Sequence, residues 1–497
     1  MPDATPRVIF RADGNSTMGL GHVVRCLALA AMLQPDFECI FAIHAPEPQV
    51  QAQIQAVCRQ VWRIPAFPEK RQEADWLLAQ LQPTDILVLD GYHFGPGYDH
   101  TFWARQQPVV WLDDVATQFL WADMVINHAG GISPDTYADN TVPGAERCLG
   151  PAYALLRQPF QLAAQQPVAQ PDTGRIFLNM GGADPENHTL ALLKQLRHQF
   201  PEKNVEVVTG AAYPHQAELE QQTQGLPGVI LHHNITAGQL AEILRRCGLH
   251  VCPPSGMAYE CCAVGGLLLL HSIAGNQHRL FSYLTANSLA RPYTDLLEIE
   301  DSRLPTLARE SVQRQRQVFD GAAGPRFRRV FAALHTTGQL TVRRARAADA
   351  AQYFAWANDP DVRRNAIQTE PIEWATHLGW FSRRLADADS VLYVLEQAGV
   401  AVGQVRIEFM GSEGTIDYSV AASRRGQGLG VAILRRALGQ LRRDNPAAWT
   451  LLGQVKSGNL ASCRVFQRLG FTPAPAVRLH DEHYDVFRLA VAAAPVF

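Results

Sequence analysis

The sequence predicts a mixed α/β protein with two Rossmann-like halves around a cleft, followed by a third unit of α+β type. Short apolar strands alternate with helical stretches twice in succession, which is typical of parallel sheets. Near residue 339 the order changes to a strand, then helices, then a run of strands. We therefore predict three domains, at residues 1–156, 157–338 and 339–497.

Composition limits the class of protein. The 497 residues are 47% hydrophobic and 18% charged with a net charge of −3, which is typical of a globular protein of several domains. We expect no nucleic-acid partner because the chain has no strongly basic run. The longest aliphatic run, "LLLL" (267–270), is far too short for a membrane span, and the N-terminus lacks a secretory signal pattern. Nine cysteines without a CxxC pair favour buried thiols in a reducing compartment, so we expect a cytoplasmic protein away from membranes.

The first half opens with "RVIFRAD" (7–13), which predicts a buried strand, and apolar residues from Val23 to Leu33 at helical spacing predict a helix. Further strands are predicted over 85–92, 108–114 and 123–128, each ending in polar residues. Parallel sheets bind ligands at the carboxyl ends of their strands.

The second half follows a Gln-, Pro- and Ala-rich segment (157–174) that we interpret as a linker. Strands are predicted over 175–184, 204–210, 228–233, 249–256 and 265–272. We expect the amphipathic stretch 305–334 to pack back across both halves.

The third unit contains predicted strands over 390–397, 400–409 and 414–420, and the last leads into "RRGQGLG" at the start of a helix. Successive glycines let backbone N–H groups converge, and the helix N-terminus adds partial positive charge, so this loop suits a pyrophosphate. Arg425, Gly428 and Gly430 match the R-x-x-G-x-G pattern of the Gcn5-related N-acetyltransferases (GNAT), and "KSGNLASCRVFQRLGF" (456–471) matches the downstream pattern. The third unit thus resembles this family; the alternative is a glycine-rich turn of purely structural use.

The resemblance implies acetyl-CoA as co-substrate, with its pantetheine arm paired to strand 414–420 and Val420 where the strands splay. The implied contacts with acetyl-CoA come from Val420, Arg425, Gly426, Gln427, Gly428, Leu429, Gly430 and Asn459. Many family members have a tyrosine general acid where this chain has Phe466. Tyr418, Asp417 and Glu408 are then candidates for the acid or the base.

The stretch "GLGHVVR" (19–25) follows the first strand, but Val24 stands where a dinucleotide fingerprint has its third glycine. This argues against a dehydrogenase. The stretch leaves His22, directly after Gly21, as either a structural residue at a helix start or a group that does chemistry.

Several further stretches, in this order, accompany it: "RADGNSTMGLGH", "LDGYHF", "LDDVA", "ADMVINHAGG", "FLNMGGAD", "PPSGMAYECCAVG" and "IAGNQHR". Together they resemble the UDP-sugar hydrolases of pseudaminic acid biosynthesis, which act on UDP-2,4-diacetamido-2,4,6-trideoxy-β-L-altropyranose and are related to the two-domain GT-B glycosyltransferases.

The resemblance makes His22 the candidate general base, because an imidazole titrates near neutral pH and can take a proton from an attacking water. Asp13 is expected to orient His22 or the water, and Tyr92 to contact the sugar. Gly21 brings the helix start close to the sugar diphosphate. The implied substrate contacts in the second half are Gly181 and Gly182 to phosphate, Ser255 and Glu260 near the ribose, and Asn276 and Gln277 near the sugar. We expect inversion at the anomeric carbon and no metal.

A chain that carries both sets of motifs would catalyse two consecutive steps, N-acetylation of a UDP-4-amino sugar and removal of UDP. The segment "WANDPDVRRNAI" (356–367) also resembles acetyltransferases of that pathway. We expect it to shape the acceptor pocket, with Arg363 or Arg364 near the UDP phosphates. Two alternatives stay open: a GT-B glycosyltransferase with an acceptor other than water, and a sugar-nucleotide-binding protein with a degenerate acetyltransferase module.

Overall fold

The computed structural model describes residues 5–15, 19–95, 97–167, 170–479 and 482–495. Its strands form three sheets, two parallel and one largely antiparallel. No helix within these ranges combines the length and the hydropathy that crossing a bilayer requires.

The first sheet is parallel with strand order β3-β2-β1-β4-β5-β6-β7. All the strands predicted for this half are present, whereas β2, β3 and β7 were not predicted. Strands and helices are β1 (Arg7–Ala12), α1 (Gly21–Leu33), β2 (Glu38–His44), α2 (Pro48–Val57), β3 (Gln60–Ile64), α3 (Lys70–Gln80), β4 (Ile86–Asp90), α4 (Tyr98–Ala104), β5 (Val109–Leu112), β6 (Met124–Asn127) and β7 (Glu146–Leu149). Apolar clusters cover both faces of the sheet, which explains the continuous apolar runs of its central strands.

The second sheet is also parallel, with strand order β10-β9-β8-β11-β12-β13. Its elements are α5 (Gln158–Gln165), β8 (Arg175–Leu178), α6 (His188–Gln199), β9 (Asn204–Thr209), α7 (Gln216–Thr223), β10 (Val229–His233), α8 (Ala237–Arg246), β11 (Leu249–Cys252), α9 (Gly256–Val264), β12 (Leu267–Leu270), α10 (His278–Ala286), β13 (Arg291–Pro292), α11 (Tyr293–Glu298), α12 (Leu304–Val318) and α13 (Ala323–Gly338).

One prediction for the second half needs correction. The segment interpreted as a linker contains helix α5, whose buried Phe160 and Ala163 pack with α8 and α9; Val168 and Ala169 of that segment lie outside the described residues. The amphipathic stretch forms two helices and packs against both halves as expected: α12 packs against β12 and α9, and α13 packs against α1 of the first half. The chain therefore returns to the first half before the third unit begins.

The third sheet has the order β14-β15-β16-β17-β18-β20-β19, with β17 and β18 parallel and the other pairs antiparallel. Its elements are β14 (Leu340–Arg344), α14 (Ala350–Ala357), α15 (Pro360–Asn365), α16 (Trp374–Ala386), β15 (Ser390–Gln397), β16 (Val400–Met410), β17 (Glu413–Val420), α17 (Leu429–Asp444), β18 (Trp449–Lys456), α18 (Leu460–Arg468), β19 (Thr472–Leu479) and β20 (Glu482–Val491).

Helix α17 joins the third unit to the first half through arginine side chains. Arg435 Nε donates to Gly144 O at 2.8 Å, Arg436 Nη1 donates to Gln106 O at 3.0 Å, and the Arg443 guanidinium lies 4.8 Å from the centre of the Trp103 ring. Burial lowers the pKa of Arg436 to about 10. Since Arg435 is also buried, α17 has little solvent-facing surface and fixes the third unit against the first half.

Candidate active sites

His22 lies at the start of α1, beside the end of β4. Its Nδ1 is 2.7 Å from Oδ1 of Asp90, the last residue of β4, whose side chain is fully buried. Arg25, one turn later on α1, donates from Nε to Asp90 Oδ2 at 2.6 Å. The carboxylate is therefore held from both sides, and the His22 ring is oriented with its Nε2 pointing away from Asp90.

Tyr92 and Asp114 complete the group around His22. The Tyr92 ring lies 4.9 Å from the His22 ring in an edge-on arrangement, and its hydroxyl donates to Asp114 Oδ2 at 2.7 Å. Arg25 Nη1 donates to the same oxygen at 2.8 Å. Burial and the Asp114 contact raise the pKa of Tyr92 to about 12. Burial opposes ionisation of Asp114, but Arg25 outweighs it and lowers the pKa of that carboxyl.

Asp13 takes a different place from the one we predicted. It accepts from Arg11 Nη2 at 2.8 Å and from the backbone N–H of His44 at 2.9 Å, and it pairs with His93 at 3.0 Å. Burial would raise the pKa of Asp13, but His93 and Arg11 hold it well below its usual range. Asp90 rather than Asp13 is the partner of the imidazole, so Asp13 does not orient His22; its other predicted role, orienting the attacking water, stays a prediction.

The prediction missed Asp90, Arg25 and Asp114. A signal was present, since Asp90 and Asp114 both follow apolar strands in stretches already singled out, "LDGYHF" and "LDDVA". What the sequence lacked was the spatial order of the strands: β4 lies beside β1 and β5 beside β4. That order brings three strand ends to the start of α1.

In the second half, Gly181 and Gly182 were expected to contact the diphosphate from a tight turn. They lie in a long loop instead. Helix α6 begins at His188, and Asp184 accepts from the N–H groups of His188 at 2.9 Å and Thr189 at 2.7 Å. The Gly181 N–H donates to Asn179 Oδ1 at 3.1 Å. The N-terminus of α6 is thus capped by a carboxylate of its own.

Ser255 and Glu260 both lie on or beside α9 but serve local contacts. Ser255 caps the helix by accepting from Met257 N at 3.3 Å. Glu260 accepts two hydrogen bonds from Arg157, each of 2.7 Å. Burial raises the pKa of Glu260, and Arg157 opposes that rise.

The predicted Asn-Gln pair lies in a short 3₁₀ turn before α10. Gln277 Oε1 accepts from Ile273 N at 2.9 Å, which closes the turn. The side chain of Asn276 lies outside the described part of the structure. The structure therefore places Gln277 in a loop of the second sheet, where its side chain makes a local contact.

The two halves meet next to the His22 group. Tyr259 of α9 donates to His128 O at 3.1 Å and accepts from Gly130 N at 2.8 Å. Arg279 of α10 donates to Asp114 O at 2.9 Å. The carboxyl end of the first sheet thus faces α9 and α10 of the second half, with a cation at the boundary.

In the third unit, the glycine loop takes the shape its spacing predicts. Gly426 and Gly428 have φ of +78° and +76°, a region that side chains disfavour, and α17 begins directly after at Leu429. Side chains built at either glycine would meet open space, so the loop backbone is accessible. Gly430, in contrast, packs close to Val465 and Tyr418.

Strands β17 and β18 splay apart beside this loop. Their pairing ends at Ile416 and Gly453, so the stretch from Asp417 to Val420 has no partner strand on that side among the described residues. This matches the predicted opening, although the splay begins at Asp417, three residues before Val420. Backbone groups along β17 are left facing the gap.

Arg425 and Asn459 make contacts within the protein. Arg425 Nη2 donates to Asp359 Oδ1 at 2.7 Å and Nη1 to Asp361 Oδ2 at 2.9 Å, which ties the loop to α15. Asn459 caps α18 by accepting from Ser462 N at 3.2 Å, and Gln427 reaches Ser423 O at 3.4 Å. Arg425 and Gln427 thus stabilise the glycine loop, and Asn459 stabilises the start of α18.

Among the acid and base candidates, Tyr418 lies on the α17–α18 side of the sheet, with its hydroxyl 3.2 Å from Ser462 Oγ. Burial raises the pKa of Tyr418. Phe466 is buried against Gly453, where any side chain would collide with its ring, and cannot donate a proton. Asp417 and Glu408 point to the opposite side, where both lie near Arg406.

The arginines predicted near the UDP phosphates are engaged within the third unit. Arg363 donates to the carbonyls of Ala357 at 2.6 Å and Gln368 at 3.0 Å, and Arg364 pairs with Asp361. Within the described ranges, no group of three or more His, Cys, Asp or Glu side chains is arranged to hold a metal ion.

Comparison with known proteins identifies the family of the third unit. The family profile described as an acetyltransferase (GNAT) domain matches residues 339–472. A chain that is 30% identical over 138 residues, 26% of this chain and 79% of its own length, is the L-methionine sulfoximine/L-methionine sulfone acetyltransferase of Pseudomonas paraeruginosa. This chain belongs to the GNAT acetyltransferase family through its C-terminal unit.

Two relatives extend beyond the GNAT unit. The uncharacterized protein MJ1062 of Methanocaldococcus jannaschii is 20% identical over 97% of this chain and 99% of its own length. The spore coat polysaccharide biosynthesis protein SpsG of Bacillus subtilis is 26% identical over 226 residues, 44% of this chain and 63% of its own length. The chain is therefore a GNAT acetyltransferase unit joined to α/β halves, with a distant relative in polysaccharide biosynthesis.

Proposed function

We propose that this chain is a bifunctional enzyme of nonulosonic (pseudaminic) acid biosynthesis. Its GNAT unit acetylates the 4-amino group of a UDP-4-amino-4,6-dideoxy sugar with acetyl-CoA. Its GT-B-like halves, at residues 1–156 and 157–338, then remove UDP from UDP-2,4-diacetamido-2,4,6-trideoxy-β-L-altropyranose with inversion. The observation that carries the acetyltransferase is the open glycine loop at the start of α17 beside the splay of β17 and β18.

The GNAT unit fits acetyl-CoA by its backbone. The N–H groups after Gly426 and Gly428 and the N-terminus of α17 suit the pyrophosphate, and the free edge of β17 suits the amide groups of pantetheine. The amine nitrogen of the sugar attacks the thioester carbonyl, the C–S bond breaks, and the amine gives its proton to one of the candidate bases, Asp417 or Glu408. Tyr418, on the splayed stretch, is the side chain proposed to protonate the departing thiolate.

The His22–Asp90 pair supports the hydrolase proposal. With Nδ1–H donated to the buried Asp90, the free Nε2 of His22 takes a proton from water as the water oxygen bonds to the anomeric carbon. The C–O bond to UDP breaks on the opposite face, and UDP leaves with the bonding electrons. Arg279, at the boundary of the halves, is placed to approach the anionic leaving group.

A second acceptor class has its own support, because the 30%-identical relative is named for acetylating L-methionine sulfoximine. Purified full-length protein with acetyl-CoA and either the UDP-4-amino sugar or L-methionine sulfoximine, followed by mass spectrometry, separates the two. We expect the acetylated UDP-sugar, then free sugar and UDP. Acetylated amino acid alone would refute the sugar assignment.

The hydrolase step needs a separate test with the diacetamido UDP-sugar and no acetyl-CoA. We expect UDP and an inverted free sugar in the first NMR spectra, and about 100-fold slower release from Asp90→Asn, because the imidazole loses the carboxylate that orients it. Release only when a sugar or lipid acceptor is added would favour the glycosyltransferase. UDP-sugar binding without turnover of either kind would favour a binding protein.

A further inference from the structure

We propose that Gln404 and Ser419 recognise the acceptor of the GNAT unit, and that this acceptor is an amine on a hydroxyl-bearing sugar ring. The inference rests on the proposed acetyltransferase function and adds the residues that select its substrate. It starts from one face of the β16–β17 pair.

That face carries polar residues in three cross-strand pairs, which we call the polar strip. Alternate side chains of a strand share a face, so the members of these pairs point the same way. The polar strip consists of Gln404 with Ser419, Arg406 with Asp417, and Glu408 with Thr415. Next to it on β15, Val394 and Leu392 pair with Gln404 and Arg406 and pack with Tyr353 and Phe381. The polar strip therefore faces α14 and α16, the side opposite to α17.

The inner end of the polar strip is buried and incompletely bonded. Gln404 is 8% exposed and Ser419 is 7% exposed. Within the described part of the chain, neither Gln404 Oε1 nor Ser419 Oγ has a hydrogen-bond partner. Leaving such an atom unsatisfied destabilises the fold, whereas Val394 and Leu392 on neighbouring β15 show that apolar residues fit this face. A ligand with hydroxyl or amide N–H donors would satisfy both atoms.

The outer end of the polar strip is charged, with its cations already paired. Arg406 lies 3.4 Å from Glu408 and 3.5 Å from Asp417, and Arg384 of α16 donates to Glu408 at 2.5 Å. Arg406 also lies 5.3 Å from the centre of the Trp380 ring. Since both guanidinium groups already face carboxylates, a ligand carboxylate gains little here. Asp417, which is the more exposed of the two carboxylates and contacts Arg406 only at 3.5 Å, can still accept from a ligand amine, and Trp380 gives a sugar ring an aromatic neighbour.

The polar strip lies beside the gap between β17 and β18, where the thioester of acetyl-CoA is proposed to bind. Asp417 and Ser419 belong to the stretch of β17 that β18 leaves unpaired, and Tyr418 between them faces the other side. An acceptor on the polar strip would therefore present its amine across the strand from the side proposed to protonate the thiolate. The attacking amine and the acid for the thiolate would then approach a thioester in the splay from opposite faces of the sheet.

The test uses full-length protein with acetyl-CoA and two probes, the UDP-4-amino-4,6-dideoxy sugar and L-methionine sulfoximine. Ser419→Ala removes the hydroxyl oxygen. Gln404→Met replaces the side-chain amide, both its oxygen and its nitrogen, by apolar atoms of similar volume. We expect KM for the UDP-sugar to rise about tenfold in each, with kcat and KM for acetyl-CoA unchanged, because a binding contact common to ground and transition states is lost. The melting temperature should hold or rise, since a buried unsatisfied atom is removed.

A matched control is Thr472→Val on β19, at the far edge of the same sheet, where KM should not change. An unchanged KM for the UDP-sugar in both strip variants would overturn the inference while leaving the acetyltransferase intact. Preference of the unaltered protein for L-methionine sulfoximine would overturn the acceptor class. Absence of acetylation with either probe would refute the proposed function itself.

Discussion

The His22 group and the glycine loop of the GNAT unit are built in opposite ways. Around His22, side chains from two strand ends and one helix start hold one another: Asp90 and Asp114 with His22, Arg25 and Tyr92. In the loop, backbone N–H groups form the site, and the side chains of Arg425, Gln427 and Asn459 stabilise the backbone through hydrogen bonds. A side-chain site depends on long-range partners, whereas a backbone site depends on local φ and ψ. Substitutions should therefore affect the two sites by different routes.

The largest effect is expected from His22→Asn, because it removes the proposed base and leaves the helix start in place. Release of UDP from the diacetamido UDP-sugar should fall about 1,000-fold, while UDP affinity by calorimetry and acetylation by the GNAT unit stay unchanged. His215→Asn, in an exposed loop of the second half, is the matched control. Activity of His22→Asn within threefold of the unaltered protein would rule out the general-base role.

Acid should weaken the two α/β halves through buried histidines. Burial lowers the pKa of His128 in the first half and of His250 in the second half to about 4. Unfolded histidine titrates near 6.5, so the unfolded chain takes up protons first as the pH falls, and stability present above pH 6.5 is lost between about 6.5 and 4.

At pH 5 this loss should be about 2 kcal/mol for each of the two histidines relative to pH 7. Hydrogen exchange measured by mass spectrometry at both pH values would localise it. We expect lower protection factors around β6 and β11 at pH 5 than at pH 7, after correction for the intrinsic exchange rate, with less change in β16 and β17. Equal protection of β6 and β11 at the two pH values would contradict the prediction.

For the loop, Gly428→Ala tests the backbone geometry. An alanine held at a φ of +76° has a conformational free energy about 1–2 kcal/mol higher than in its preferred regions. The loop is expected to relieve this strain by changing its backbone conformation, which moves its N–H groups. We expect KM for acetyl-CoA to rise about tenfold, with UDP-sugar hydrolysis unaffected. Gly238→Ala on α8, where φ is not positive, provides the control. A coupled loss of hydrolysis would show that the two sites are not independent.

The smallest effect is expected from Tyr418→Phe. Solvent can also protonate a thiolate, so kcat for acetylation should fall only about threefold to tenfold, and KM for acetyl-CoA should hold. The ring packing against Phe466 is kept, so the melting temperature should not move. A fall of 1,000-fold would instead make Tyr418 the obligatory acid, and the loop site would then depend on a side chain as the His22 site does.

Local patterns predicted much of the fold. Apolar runs gave the central strands of all three sheets, and glycine spacing gave the loop before α17. The misses have physical causes. Helix α5 has a polar, proline-containing sequence and is stabilised by packing of Phe160 on α9, which the sequence does not display. Strand β7 is short and partly exposed, and so lacks a strong apolar run.

The sequence by itself determined the order of the units, the membership of the C-terminal unit in the GNAT family, the glycine loop and the placing of His22 at a helix start, because each depends on neighbours along the chain. Only the tertiary structure decided that Asp90 rather than Asp13 holds His22, that Glu260 pairs with Arg157, and that α17 is anchored on the first half. These contacts join residues 68, 103 and 291 positions apart, and strand order and domain packing alone bring them together.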